Sequence, residues 1–62
     1  MKVREVLQRL QHEGWILVRQ KGSHRQFTHP SKRGMRVTVS GNSGLDIPKG
    51  TLNSIFKQAG WK

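Results

Sequence analysis

The sequence predicts a small α+β domain in which a three-stranded antiparallel sheet packs one face against two helices. Apolar residues recur with helical spacing at both ends of the chain, whereas the middle is rich in β-branched residues that alternate with polar ones. Each helical segment ends in the dipeptide Gly-Trp. We expect residues 1–62 to form one domain with the element order αβββα.

The first helix is predicted to run from about Lys2 to Glu13. Its apolar residues lie three or four positions apart and so share one face: Val3, Val6, Leu7 and Leu10. Gly14 follows, and glycine readily adopts the left-handed conformation that commonly ends a helix. Trp15 comes next, where a Schellman motif would fold it back onto the helix.

Three strands are predicted in the middle of the chain, at Trp15 to Gln20, His24 to His29 and Met35 to Ser40. Lys21-Gly22-Ser23 is expected to form a tight turn between the first two, and Pro30 to Gly34 a looser, basic turn between the second and third. Short connections of this kind join antiparallel neighbours.

The last helix is predicted after the irregular stretch Gly41 to Gly44. Asp46-Ile47-Pro48 is typical of a helix start, with the proline in the first turn. Its apolar stripe consists of Leu52, Ile55, Phe56 and Ala59. Gly60 is expected to end the helix and Trp61 to pack back on its last turn.

The charge balance is strongly basic. Twelve lysines and arginines stand against three carboxylates, which gives a net charge of +9. A chain so short of carboxylates is poorly equipped for a two-metal site or a carboxylate dyad. It has no cysteine, and its three histidines lack zinc-ligand spacing, so we expect no metal and no cofactor. Such charge indicates a polyanionic partner, either nucleic acid or an acidic protein.

The segment Lys21 to Phe27 contains the candidate catalytic residue, His24, just past a glycine turn and among cations. Histidine, with an unperturbed pKa of ~6.5, suits proton transfer near neutral pH, and RNA brings its own nucleophile, the 2′-hydroxyl. The candidate phosphate contacts beside it are Lys21, Gly22, Ser23 and Arg25. Ser23 fits a turn residue better, and strand alternation can send Arg25 to the opposite face. The residues alone also fit a solvated strand histidine beside a hairpin.

Two further cations are candidate RNA contacts. Arg36 belongs to the basic stretch around the second turn, and Lys49 stands with Gly50 at the start of the last helix, where free N–H groups favour phosphate. The few aromatic residues are needed for the core and the helix ends, so contacts should be mainly with phosphate and strongly salt-dependent. His12 is expected to be structural or solvated, and His29 to point to the other sheet face.

Several of these features together resemble the HicA family of toxin ribonucleases. They are the element order, Gly14-Trp15, the run Gly-Ser-His at 22–24, and Ile-Pro-Lys-Gly-Thr-Leu at 47–52. The resemblance implies a double-stranded-RNA-binding-domain-like fold and a metal-independent mRNA interferase, an endoribonuclease that cleaves mRNA and stops translation. The family's essential histidine falls on His24, and its accompanying glycine on Gly22.

The resemblance also implies partners. These are the mRNA substrate and a HicB-type antitoxin, which we expect to cover the His24 surface in a heterocomplex. We expect a cytoplasmic protein without membrane contact, monomeric when free. Two alternatives stay open on the residues: a non-catalytic double-stranded-RNA-binding module that uses the same basic surface, and a small basic subunit that docks an acidic protein.

Overall fold

The computed structural model describes residues 1–62 and confirms the predicted α+β architecture. The elements follow the order α1 (Val3–His12), β1 (Ile16–Lys21), β2 (His24–His29), β3 (Lys32–Val39) and α2 (Lys49–Ala59). The strands form an antiparallel sheet in the order β1-β2-β3, so β2 is central and β1 and β3 are the edges. Neither helix is long and apolar enough to span a membrane.

The core is a single apolar layer between the helices and one face of the sheet. Its ten buried residues are all apolar: Val3, Val6, Leu10, Trp15, Phe27, Val37, Val39, Ile47, Ile55 and Ala59. In the sheet these are Phe27 of β2 with Val37 and Val39 of β3, and Phe27 pairs directly with Val37. Because successive strand residues point to opposite faces, their immediate neighbours lie on the face that no helix covers.

Both helices end in the Schellman motif that the Gly-Trp dipeptides predict. At the end of α1, Gly14 has φ +89° and Trp15 N–H donates to the Leu10 carbonyl over 3.0 Å. At the end of α2, Gly60 has φ +75° and Trp61 N–H donates to the Phe56 carbonyl over 2.8 Å. Positive φ is costly for residues with a Cβ, so glycine is needed at both positions.

The two helix ends are also tied to each other. The Glu13 carboxylate accepts hydrogen bonds from Trp61 Nε1 (2.8 Å) and from Arg9 Nε (3.0 Å). The Arg9 guanidinium lies 4.1 Å from the Trp61 ring centroid, and the Trp61 ring meets Phe56 edge-on with centroids 5.3 Å apart. These contacts lower the pKa of Glu13, chiefly through the hydrogen bond from Trp61 and next through that from Arg9. A single carboxylate thus joins the C-terminal ends of α1 and α2.

The turn between β2 and β3 is shorter than the sequence predicts. β3 begins at Lys32 and not at Met35, because Lys32 already pairs with His29 and leaves only Pro30-Ser31 in the turn. The next pair is Thr28 with Arg36, so the residues between Lys32 and Arg36 form a bulge. Gly34 lies in this bulge with φ +79°. Gly34, which the sequence analysis placed in the turn, therefore lies in a bulge within β3.

Two smaller features also differ from, or add to, the sequence prediction. Pro48 is the N-cap of α2, one residue before the first turn, with an extended ψ of 146°. β1 starts at Ile16, and none of its residues is buried. The apolar side chains of Ile16, Leu17 and Val18 are about half exposed, because β1 is an edge strand whose residues lie outside the buried core cluster.

Candidate functional site

The exposed face of the sheet brings together residues from all three strands. His24, Gln26 and Thr28 of β2 point away from the helices, since they alternate with the buried Phe27. Strand pairing sets their neighbours: Lys21 opposite His24, Arg19 opposite Gln26 and Arg36 opposite Thr28. Residues opposite each other in a sheet share a face, so three cations surround the strand that carries His24.

A cleft opens on this face at the end of the β1–β2 hairpin. Its volume is about 640 Å³, and it is lined by Arg19, Lys21, Gly22, His24 and Gln26, without any apolar side chain. His24 is exposed, and its imidazole makes no hydrogen bond within the protein. Both ring nitrogens are therefore free to exchange a proton with a bound molecule. A cleft of this size can hold a nucleotide-sized ligand.

The cleft is positively charged and holds no carboxylate. The single ion pair of the structure joins Arg9 to Glu13 at the helix ends, so Arg19 and Lys21 have no anionic partner. Two uncompensated cations beside an imidazole favour an anionic ligand such as phosphate. The arrangement can therefore bind a phosphate and transfer a proton next to it.

The hairpin that carries His24 depends on Gly22. Lys21 pairs with His24, which leaves the two-residue turn Gly22-Ser23. Gly22 has φ +58°, and no atom lies within 4 Å of where a Cβ would stand. The requirement for glycine is thus conformational and not steric, as in hairpin turns with glycine at the first central position. The open space also leaves the turn accessible to a ligand.

Arg25 lies on the opposite face of the sheet from His24, as strand alternation predicts. Its Nη1 donates to the Ser23 carbonyl (3.2 Å) and to the Gly41 carbonyl (3.1 Å). The half-buried guanidinium therefore ties the hairpin turn to the loop after β3. Ser23 is part of the turn itself, and its hydroxyl makes no hydrogen bond within the protein.

The two outlying candidate cations stand at different distances from the cleft. Arg36 is on the exposed face, where its Nη1 donates to Gln26 Oε1 over 3.2 Å, so it contacts a residue that lines the cleft. Lys49 is the first residue of α2 and does not line the cleft. The first turn of α2 has no acidic residue and no side-chain cap, which leaves its N–H groups free for an anion.

The other histidines lie outside the cleft. His29 is on the helix side, as its strand position predicts. Its Nε2 contacts the Glu13 carbonyl (2.8 Å), its Nδ1 accepts from Ser31 N–H (3.1 Å), and its ring meets Trp15 edge-on. Because a carbonyl only accepts, these bonds assign the ring proton to Nε2. His12 is exposed in the last turn of α1.

Sequence reasoning missed Arg19 and Gln26, which line the cleft on either side of the hairpin. A two-residue turn at Gly22-Ser23 forces Lys21 to pair with His24, and counting outward then pairs Arg19 with Gln26. The bulge in β1 comes only beyond this pair, between Leu17 and Arg19. The signal was therefore present in the turn length, and strand-by-strand reasoning did not use it.

Comparison with protein families gives a match over nearly the whole chain. A family model described as HicA toxin of bacterial toxin-antitoxin matches residues 3–61. No curated protein sequence matches the chain. The matched region contains both Gly-Trp helix ends, the sheet and the His24 hairpin, which is nearly the entire chain of 62 residues. The chain belongs to the HicA toxin family of bacterial toxin–antitoxin systems.

Proposed function

We propose that this toxin is a metal-independent endoribonuclease that cleaves mRNA in the cytoplasm and thereby inhibits translation. The observation that carries the proposal is the cleft itself. An imidazole with two free ring nitrogens lies among unpaired cations, and no carboxylate lines the cleft. A non-catalytic RNA-binding surface needs the cations but has no use for a free imidazole at their centre.

The reaction uses the 2′-hydroxyl of the RNA as nucleophile. His24 accepts the 2′-hydroxyl proton, the 2′-oxygen attacks the adjacent phosphorus, and the bond from phosphorus to the 5′-oxygen breaks. The products are a 2′,3′-cyclic phosphate and a free 5′-hydroxyl. Because the cleft is open and holds no second imidazole, a water molecule protonates the departing 5′-oxygen. The hydroxide that remains takes the proton from His24 and restores the neutral imidazole.

The cations divide into two roles in this proposal. Arg19 and Lys21 line the cleft with His24, so they stabilise the additional negative charge on the phosphorane. Arg36 and Lys49 lie farther out and hold flanking phosphates, with the free N–H groups of α2 assisting Lys49. Arg25 acts indirectly, since it fixes the hairpin turn to Gly41.

The chain's inhibitor is then a HicB-type antitoxin that binds in a heterocomplex and covers the His24 cleft. A nuclease that contacts mainly phosphate discriminates little between RNA sequences. In the resting cell, a partner therefore has to cover the cleft so that RNA is not cleaved. The positive cleft, with no carboxylate of its own, favours an inhibitor that supplies acidic groups.

The test compares the wild-type chain with His24→Ala, and with His12→Ala as a histidine control outside the cleft. Each is induced without antitoxin, and growth and total mRNA integrity are followed. The purified proteins are then incubated with RNA in EDTA, and the product ends are analysed. We expect growth arrest and RNA with 2′,3′-cyclic phosphate ends for wild type and His12→Ala only.

Two results would contradict the proposal. If folded His24→Ala arrests growth and cuts RNA as the wild type does, His24 is not catalytic. If the wild type binds RNA in EDTA without cutting it, the double-stranded-RNA-binding alternative is favoured. Circular dichroism of each variant separates loss of activity from loss of folding.

A further inference from the structure

The two edges of the sheet differ in how they are covered. On β3, Thr38 N–H donates to Gln58 Oε1 of α2 over 2.8 Å, so a helix side chain occupies this edge. On β1, the N–H and carbonyl groups that face away from β2 have no partner strand and make no hydrogen bond with a side chain. The outer edge of β1 can therefore pair with another strand through its free backbone groups.

The same edge carries the main exposed apolar surface of the chain. Ile16, Leu17 and Val18 are consecutive and 52%, 46% and 51% exposed. The other exposed large apolar residues are Met1 and Leu45, which flank the Lys2–Asp46 bridge away from β1 in the sequence. Ile16 pairs with Thr28 and so lies on the open face, whereas Leu17 pairs with Phe27 and lies on the helix side. Apolar side chains are therefore exposed on both faces of this edge strand, which indicates an edge that another molecule covers.

A groove runs beside this edge on the helix side of the sheet. It lies between α1 and β1, and its lining includes Leu7, Leu17, Phe27 and Trp15. Trp15 is only 5% exposed, and its indole Nε1 is the one buried side-chain polar atom without a hydrogen-bond partner. The groove therefore offers apolar side chains of α1, β1 and β2 beside the open strand edge.

The charges along β1 identify the chemistry of the occupant. Leu17 pairs with Phe27 on the helix side, whereas Arg19 and Lys21 lie on the face of the His24 cleft. A strand laid along β1 has one set of side chains next to Leu17 and the groove, and the alternate set next to Arg19 and Lys21. The complementary segment therefore alternates apolar and acidic residues.

A second copy of the chain is a poor occupant of this edge. Each copy carries a net charge of +9, and pairing two β1 strands would bring Arg19 and Lys21 of one copy close to the same cations of the other.

We propose that the outer edge of β1, with the adjoining groove, is the docking site for an extended segment of the antitoxin in which apolar and acidic residues alternate. This inference rests on the toxin–antitoxin pairing proposed above. It also explains inhibition, because the acidic residues would neutralise Arg19 and Lys21 beside His24. The antitoxin then reaches the cleft from the sheet edge.

The experiment measures binding, so that it does not depend on RNA cleavage. The antitoxin encoded with the chain is purified and titrated against the full chain carrying His24→Ala. This substitution removes the proposed catalytic residue, so that the chain can be expressed without the antitoxin. Leu17→Thr with Val18→Thr removes two of the three exposed apolar side chains and keeps β-branched residues in the strand. Leu45→Thr, in the loop before α2, is the control for loss of an exposed apolar residue.

We expect the double variant to bind the antitoxin about tenfold more weakly or worse, and Leu45→Thr to bind as the parent does. Hydrogen exchange should show the amides of 16–21 protected in the parent complex. Because Leu17 contacts the buried Phe27 side of the sheet, Val18→Thr alone serves as a second variant with no buried contact to lose. Thermal melts verify that each variant is folded.

Three outcomes would overturn the inference. One is equal affinity of the parent and both β1 variants for the antitoxin. Another is unchanged exchange of 16–21 in a formed complex. The third is a dimer of the free chain, detected by sedimentation and abolished by the double variant. Such a dimer would assign the edge of β1 to a second copy of the chain. None of these outcomes bears on whether the wild-type chain cleaves RNA.

Discussion

The contact between Trp61 and Glu13 gives the sharpest test of how the helix ends are held together. Trp61→Phe keeps an aromatic ring against Phe56 and removes the indole N–H that donates to Glu13 over 2.8 Å. A hydrogen bond to a charged acceptor contributes about 1.5–3 kcal/mol, and exposed ion pairs below about 1 kcal/mol. The Glu13 side chain is 33% exposed, and water therefore weakens the bond. We expect the free energy of unfolding to fall by about 1 kcal/mol, between the two ranges.

The assay is thermal unfolding at neutral pH in a double-mutant cycle with Glu13→Ala. For a domain of this size, about 1 kcal/mol corresponds to a fall in Tm of about 4–8 °C. The two substitutions should not be additive, because each removes the same hydrogen bond. Additive effects would refute the reasoning, since Trp61 and Glu13 would then stabilise the chain independently.

The same contact predicts how stability depends on acid. The folded-state pKa of Glu13 is lowered from an ordinary value of 4.5, so its contribution is fully present above that unfolded pKa. It is lost as the pH falls through the lower folded-state pKa. Wild type should therefore lose its advantage over Trp61→Phe below about pH 4.5. A Tm difference that stays constant down to pH 2 would contradict this assignment.

Further predictions concern the cleft, its supporting turn and the start of α2. Arg19→Gln should lower the rate of RNA cleavage about tenfold to a hundredfold in a gel assay, whereas Lys57→Gln, the loss of an exposed cation on α2, should not. Gly22→Ala should destabilise the fold by about 1–2 kcal/mol in thermal melts, because φ there is +58°. Gly50→Ala is the matched control: Gly50 lies in α2 with open space around it, so alanine there should stabilise the fold by about 0.5–1 kcal/mol. Lys49→Gln should reduce the slope of log affinity for RNA against log salt by about one, measured by fluorescence anisotropy, and an unchanged slope would exclude a phosphate contact there.

The elements that sequence reasoning placed correctly are those set by local contacts. Both helix ends follow from Gly-Trp, because a Schellman motif is closed within six residues of chain. The place of the first hairpin follows from Gly22-Ser23, but Lys21, which was predicted in the turn, is the last residue of β1 and pairs with His24. The turn at Gly34 was misjudged, since the pairing of His29 with Lys32 overrides a composition typical of turns.

The site was predicted unevenly for the same reason. His24 and Gly22 are visible in one short motif, and the structure places both in the cleft. Arg19 comes from another strand and joins them only through cross-strand pairing. The exposure of Ile16, Leu17 and Val18 was not predictable either, because strand propensity does not say which strand is at the edge or how far the core extends.

The three side-chain carboxylates of the chain all lie outside the His24 cleft. Glu5 accepts the Lys2 N–H over 2.7 Å at the start of α1, Glu13 joins the two helix ends, and Asp46 lies in an isolated bridge with Lys2. The carboxylates of Glu5 and Glu13 make hydrogen bonds at the ends of α1, and none of the three carboxylates lines the His24 cleft. The positive potential of the cleft is therefore not reduced by any nearby anion of the chain itself. Under the proposed function, an anion in the cleft comes from another molecule, either as an RNA phosphate or as an acidic side chain of the antitoxin. The two would compete for Arg19 and Lys21. Excess RNA should accordingly weaken antitoxin binding to the His24→Ala chain, and less so after Arg19→Gln, because one of the contested cations is gone.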